Sequence, residues 1–83
     1  GNLHVVMVGD PDNREEWESL EAINHSIVHR AVALGGTCTG EHGIGIGKRQ
    51  FMQLEHGEGY ALMKAIKALM DPKGLMNPGK MFL

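Results

Sequence analysis

Glu41 and His42 stand side by side in the run Gly36-Thr37-Cys38-Thr39-Gly40-Glu41-His42-Gly43-Ile44-Gly45-Ile46-Gly47-Lys48-Arg49, among five glycines. A carboxylate binds hard or borderline cations, and a neutral imidazole takes up a proton near neutral pH. The pair can therefore supply a metal ligand and a general base together. Glycines around it allow the backbone to approach a ligand closely. The same residues would also serve as a flexible loop with a solvated Glu-His pair, so the rest of the chain has to decide.

Phosphate chemistry fits poorly. A P-loop needs glycine where this chain has His42, and Ser or Thr where it has Arg49. Gly43-Ile44-Gly45-Ile46-Gly47 is not the G-x-G-x-x-G of a dinucleotide turn, and no long buried strand precedes it. A helix starting near Gly47, with Lys48 and Arg49 at its N-terminus, could hold an anion such as a substrate carboxylate. His25 and His29, with Glu21 a turn earlier, have a spacing that can ligate zinc. They fall on a charged flank of their helix, where a solvated face is the simpler account. His4 sits where strand alternation places Asn2, His4 and Val6 on one face.

The elements that must position these residues can be read from periodicity. Gly1-Asn2-Leu3-His4-Val5-Val6-Met7-Val8 is predicted as a strand, closed by Gly9-Asp10-Pro11-Asp12-Asn13. A chain that opens inside its first strand is expected to be a piece of a longer protein. Asp12 or Asn13 caps a helix predicted from about Arg14 to Leu34. Its apolar stripe is Leu20, Ile23, Ile27, Ala31 and Leu34, with Trp17, Asn24 and Val28 beside it, and Gly35-Gly36 stops it. Thr37-Cys38-Thr39 is β-prone enough for a second strand. A short helix is predicted over about Gly47 to Leu54. A longer one follows over about Glu58 to Met70, burying Leu62, Met63, Ile66, Leu69 and Met70 and turning Lys64 and Lys67 outward. Met52, Met63, Met70, Met76 and Met81 read as core filler. Two short strands cannot make an independent sheet, so the missing strands are expected from elsewhere.

At 83 residues the chain can build one modest core. Cys38 is alone, so no internal disulfide can help; it fits a reducing, cytoplasmic setting, with membrane association only through a partner. The longest apolar runs fall well short of the about 18 residues of a membrane span. A net charge of −2 conceals an acidic half up to His42 and a basic half after it. The basic half lacks the density and interleaved aromatics of a nucleic-acid surface, so no nucleic-acid partner is expected.

Four segments in order, Gly1-Asn2-Leu3-His4, Gly40-Glu41-His42-Gly43-Ile44-Gly45 with Lys48 following, Ala65-Ile66-Lys67-Ala68-Leu69-Met70-Asp71-Pro72, and Leu75-Met76-Asn77-Pro78-Gly79-Lys80, resemble the C-terminal end of FAD-linked oxidases of the vanillyl-alcohol-oxidase type. That family includes D-lactate dehydrogenases and the FAD subunit of glycolate oxidase. The resemblance spans essentially the whole chain. It implies an α+β class: a helix-rich fragment of a ferredoxin-like cap domain with an incomplete antiparallel sheet. Residues 1–83 would be the C-terminal portion of the substrate (cap) domain, with the FAD-binding domain absent.

The resemblance also implies oxidation of a small 2-hydroxy acid by hydride transfer to FAD in the full-length protein. It makes His42 the base for the hydroxyl proton, His4 and Glu41 ligands of a divalent cation, often zinc, and Asn77 a cofactor-binding residue. A further family ligand would fall before Gly1. The chain alone would then be unable to bind FAD and would be inactive. Its expected associations are a second copy of itself and, in the full-length enzyme, an electron-transfer partner subunit. Two other classes remain open at this point: a small metal- or anion-binding module using His4, Glu41 and His42 without a flavin, and a helical interaction domain in which the glycines are a hinge.

Overall fold

The computed structural model describes residues 1–82. The chain divides into two compact units, Gly1–Gly40 and Glu41–Leu83.

The first unit is built on one helix, α1 (Arg14–Ala33). A turn leads into it: the Asn13 N–H donates to the Asp10 carbonyl at 3.0 Å, and the Asp12 N–H donates to Asp10 Oδ1 at 3.0 Å. Asn13 is the N-cap, its side-chain oxygen accepting from the Glu16 N–H at 3.1 Å. Glu15 and Glu16 in the first turn and Arg30 in the last complement the helix dipole. Gly35 and Gly36 end the helix in a Schellman arrangement. The Gly36 N–H donates to the Ala31 carbonyl at 2.7 Å and the Gly35 N–H to the Val32 carbonyl at 3.0 Å. Gly35 sits at φ 86°, where a Cβ would be strained. Asn13 and Gly35-Gly36 thus act as the sequence predicts.

The buried face of α1 coincides with the predicted stripe only in part. Val28 is buried and Leu20, Asn24, Ala31 and Val32 are half-buried, whereas Ile23, Ile27 and Leu34 are exposed. The side chains that meet other parts of the unit therefore follow the i, i+4 row through Leu20, Asn24 and Val28, and Gly9 comes against Leu20.

The expected α+β class is not what forms. Among the described residues there is no strand: the N-terminal segment to Gly9 has no regular structure, and its residues up to Val8 are all exposed. A strand exists through its ladder, and a lone apolar segment has no second row of N–H and C=O groups to pair with. Thr37-Cys38-Thr39 takes a local route, with the Thr39 N–H donating to Thr37 Oγ1 at 3.4 Å. Among the described residues neither the ferredoxin-like arrangement nor an incomplete antiparallel sheet is formed. The Asn2 side chain of the N-terminal segment lies where a Cβ on residue 40 would stand, so a larger residue there would require the Asn2 amide to move aside.

The second unit opens with the Glu-His-Gly loop. A 3₁₀ turn over Arg49–Phe51 runs into α2 (Met52–His56), and α3 (Glu58–Met70) follows after Gly57. Phe51 and Met52 are its core, at 2% and 1% exposure. The face of α3 that meets the rest of the unit carries Tyr60, Met63 and Lys67, leading to Asp71. Leu62, Ile66, Leu69 and Met70, predicted to be buried, are exposed, and Lys67, predicted to point outward, is half-covered. The cause is the return of the C-terminal tail along the Lys67 side. Asp71 and Lys67 bind it there, and Phe82 meets Tyr60 with ring centroids 5.7 Å apart and planes tilted by 53°. Of the methionines expected in the core, Met52 is fully buried and Met63 half-buried, while Met70 and Met76 lie largely in solvent.

Candidate active site

In the second unit the Glu41 carboxylate and the His42 ring come together, His42 Nε2 lying 3.5 Å from Glu41 Oε1 with both side chains more than half exposed. That separation is longer than a hydrogen bond of 2.7–3.2 Å. The carboxylate is of the ligand type that a borderline divalent ion takes, and the imidazole beside it is of the type that accepts a proton. Gly43 follows at φ 73° and turns the backbone out of the Glu-His step.

Asn77, the residue expected to meet the cofactor, lines an open groove of about 560 Å³ in the same unit. Ile44, Gly45 and Ile46 from the loop form one wall, Lys67, Met70 and Asp71 from the end of α3 a second, and Met76, Lys80, Met81 and Phe82 the remainder. Glycine loop and tail, far apart in sequence, thus share one surface. Asn77 holds a left-handed backbone at φ 47°, which asparagine tolerates better than most residues.

The polar part of this groove is organised by Asp71. Its Oδ1 accepts from the Leu75 N–H at 2.9 Å, and its Oδ2 accepts from the Met76 N–H at 2.9 Å and from Lys67 Nζ. Lys67 Nζ also donates to the Met76 carbonyl at 2.6 Å. The hydrogen bond from Lys67, and then those from Met76 and Leu75, hold the Asp71 carboxyl down from its ordinary 3.8 to about 2, against a smaller opposing effect of desolvation. Sequence reading did not single out Lys67 and Asp71 as a pair; their i, i+4 spacing ahead of Pro72 was the available signal.

Arg49, considered as an anion-binding residue, is engaged otherwise: its guanidinium donates to the Gly79 carbonyl. The helix expected from Gly47 begins as a 3₁₀ turn at Arg49, so its first turn offers no long-helix N-terminus. His4 lies in the exposed N-terminal segment of the first unit. His25 and His29 are exposed on α1, as a solvated face requires.

Residues 1–81 match the family described as FAD linked oxidases, C-terminal domain. The chain belongs to this family. It is 45% identical over 82 residues to the mitochondrial D-lactate dehydrogenase (cytochrome) of Arabidopsis thaliana, covering 98% of the chain and 14% of that protein. It is 45% identical over 83 residues to glycolate oxidase subunit GlcD of Bacillus subtilis, covering 99% of the chain and 18% of that protein. To the mitochondrial D-lactate dehydrogenase (cytochrome) 1 of Saccharomyces cerevisiae it is 46% identical over 83 residues, covering 99% of the chain and 14% of that protein. The chain therefore spans less than a fifth of the length of these relatives. No solved structure matches it. Among the described residues no helix is long and apolar enough to cross a membrane.

Proposed function

We propose that the chain is the C-terminal portion of the substrate (cap) domain of a flavin-dependent enzyme that oxidises a small 2-hydroxy acid, of the D-lactate or glycolate type, to the 2-oxo acid. The observation that carries this is the Glu41–His42 pair, 3.5 Å apart, in a chain so similar to D-lactate dehydrogenases and a glycolate oxidase subunit.

FAD, bound to the full-length protein, supplies the two-electron acceptor for the hydride that leaves the substrate carbon. His42 takes the hydroxyl proton in the same step, which leaves a neutral 2-oxo group and balances charge and electrons. Glu41, with His4, is assigned the role of metal ligand by the resemblance to the metal-dependent members of the family. A divalent cation held by these residues, zinc being one candidate, would supply Lewis acidity toward the substrate hydroxyl. Asn77 meets the flavin. The groove suits a planar heteroaromatic ring, with Ile44, Ile46 and Met81 for its face and the Asn77 amide for its polar edge. The greater length of the relatives supports placing most of the FAD contacts outside residues 1–83. GlcD is named as a subunit, which supports an electron-transfer partner for the full-length enzyme. Exposed Leu62, Ile66 and Leu69 on α3 support self-association of the isolated chain.

Anaerobic mixing of the FAD-loaded, full-length protein with D-lactate, glycolate and larger 2-hydroxy acids tests this. Bleaching of the oxidised flavin band by at least one small 2-hydroxy acid is expected. No bleaching by any of them, with FAD bound, contradicts it.

A further inference from the structure

The tail that carries Asn77 is held by hydrogen bonds rather than by burial. Leu75 and Met76 are 77% and 64% exposed, too open for their apolar side chains to fix the segment. In their place, both oxygens of Asp71 are spent on backbone N–H groups of Leu75 and Met76, while Lys67 joins that carboxylate to the Met76 carbonyl. Beyond Asn77 the chain is tied again, by Arg49 reaching the Gly79 carbonyl across thirty positions of sequence. Pro78 has no N–H to offer. Asn77 therefore sits between two fixed points, in a backbone region that non-glycine residues seldom occupy and that its surroundings must hold.

We propose that Arg49, Lys67 and Asp71 are positioning residues that clamp the 75–79 segment from both sides so that Asn77 is presented to the flavin. This rests on the assignment of Asn77 as a flavin contact. An Asp at a helix end often caps the next turn, and that alone would give local order with no consequence for the cofactor. Two features exceed a cap: the use of both carboxylate oxygens on successive residues, and the second tie from Arg49 on the far side of Asn77.

The test uses the full-length protein, depleted of FAD and titrated with FAD while flavin fluorescence is followed, together with hydrogen exchange over residues 72–80. Asn77→Gly removes the side chain and keeps the left-handed backbone accessible. Asp71→Asn and Arg49→Ala loosen either tie, and Arg49→Lys retains a cationic donor as the rescuing variant; a cooperative thermal transition and an unchanged far-ultraviolet circular dichroism spectrum confirm that each is folded. Faster exchange confined to 72–80 and an FAD affinity weakened about 10-fold are expected for Asp71→Asn and Arg49→Ala, with Arg49→Lys nearer the original. In the Asn77→Gly background, Asp71→Asn should weaken FAD binding less than about 2-fold further, because both act through one side chain.

Full additivity of the two substitutions, or unchanged exchange in Asp71→Asn, overturns the clamp. Unaltered FAD affinity in Asn77→Gly overturns the assignment of Asn77, and the purpose of the clamp with it. None of these results depends on turnover, so they are separable from a failure of the proposed reaction.

Discussion

The bonds that cap α1 join residues no more than five apart, from Asn13 with Glu16 to Gly36 with Ala31. In residues 41–82 the bonds that matter most reach further: Lys67 to Met76, and Arg49 to Gly79 thirty positions away. The first region is a helix ordered by its own ends. The second is a loop and a tail brought together by side chains that grip backbone. The gripped region is also the one that holds the Glu41–His42 pair and the groove with Asn77, where a few ångströms of drift would matter to chemistry.

The comparison can be broken at Met52, which is 1% exposed in the second region. Met52→Ala should cost about 2–5 kcal/mol there, from lost transfer energy and the cavity left behind. Hydrogen exchange read peptide by peptide should show the loss concentrated in residues 41–82; equal loosening of α1 would show that the two regions are not ordered separately. A smaller effect sharpens the other side. Asn13→Ala should cost about 1 kcal/mol, as N-cap losses do, and should raise exchange in the first turns of α1 while leaving 72–80 unaltered.

The narrowest effect is confined to acid. Asp71 has its pKa lowered from 3.8 to about 2 in the folded chain, so the unfolded chain takes up the proton first as pH falls. Its contribution is whole above about pH 4 and is lost as pH drops through about 2. Thermal unfolding across that window should show a decline in the original protein that is shallower in Asp71→Asn. Parallel curves would mean that the carboxylate carries no folding-linked charge.

Both long helices were legible in the sequence because their signals are local: Asn13, the Gly35-Gly36 pair, and a break at Gly57 ahead of Glu58. Which face each helix would bury was legible only in part, through Leu20, Val28 and Ala31 on α1 and Met63 on α3. Apolar spacing pointed to Ile23 and Ile27, and to Leu62 and Ile66, whereas the covered rows follow whatever returns to pack: the Gly9 approach on α1 and the clamped tail on α3. The predicted strands failed for a related reason. Val5, Val6 and Val8 have strand composition, but composition cannot supply the second backbone that a ladder needs. Of the candidate site, Glu41 and His42 were visible by adjacency. Asn77 was visible only through family resemblance, and Arg49 and Asp71 were hidden because their partners are backbone atoms that any residue would provide.

The central claim is that His42 takes the proton of the substrate hydroxyl while Glu41 holds the cation. It is tested most directly by stopped-flow flavin reduction in full-length His42→Ala, with bound FAD and metal content measured on the same sample and Glu41→Ala alongside. The account predicts that His42→Ala keeps its flavin and metal but is reduced about 10²- to 10⁴-fold more slowly, the usual worth of a general base, whereas Glu41→Ala loses metal together with rate. A flavin reduced as fast in His42→Ala as in the unaltered enzyme would contradict it.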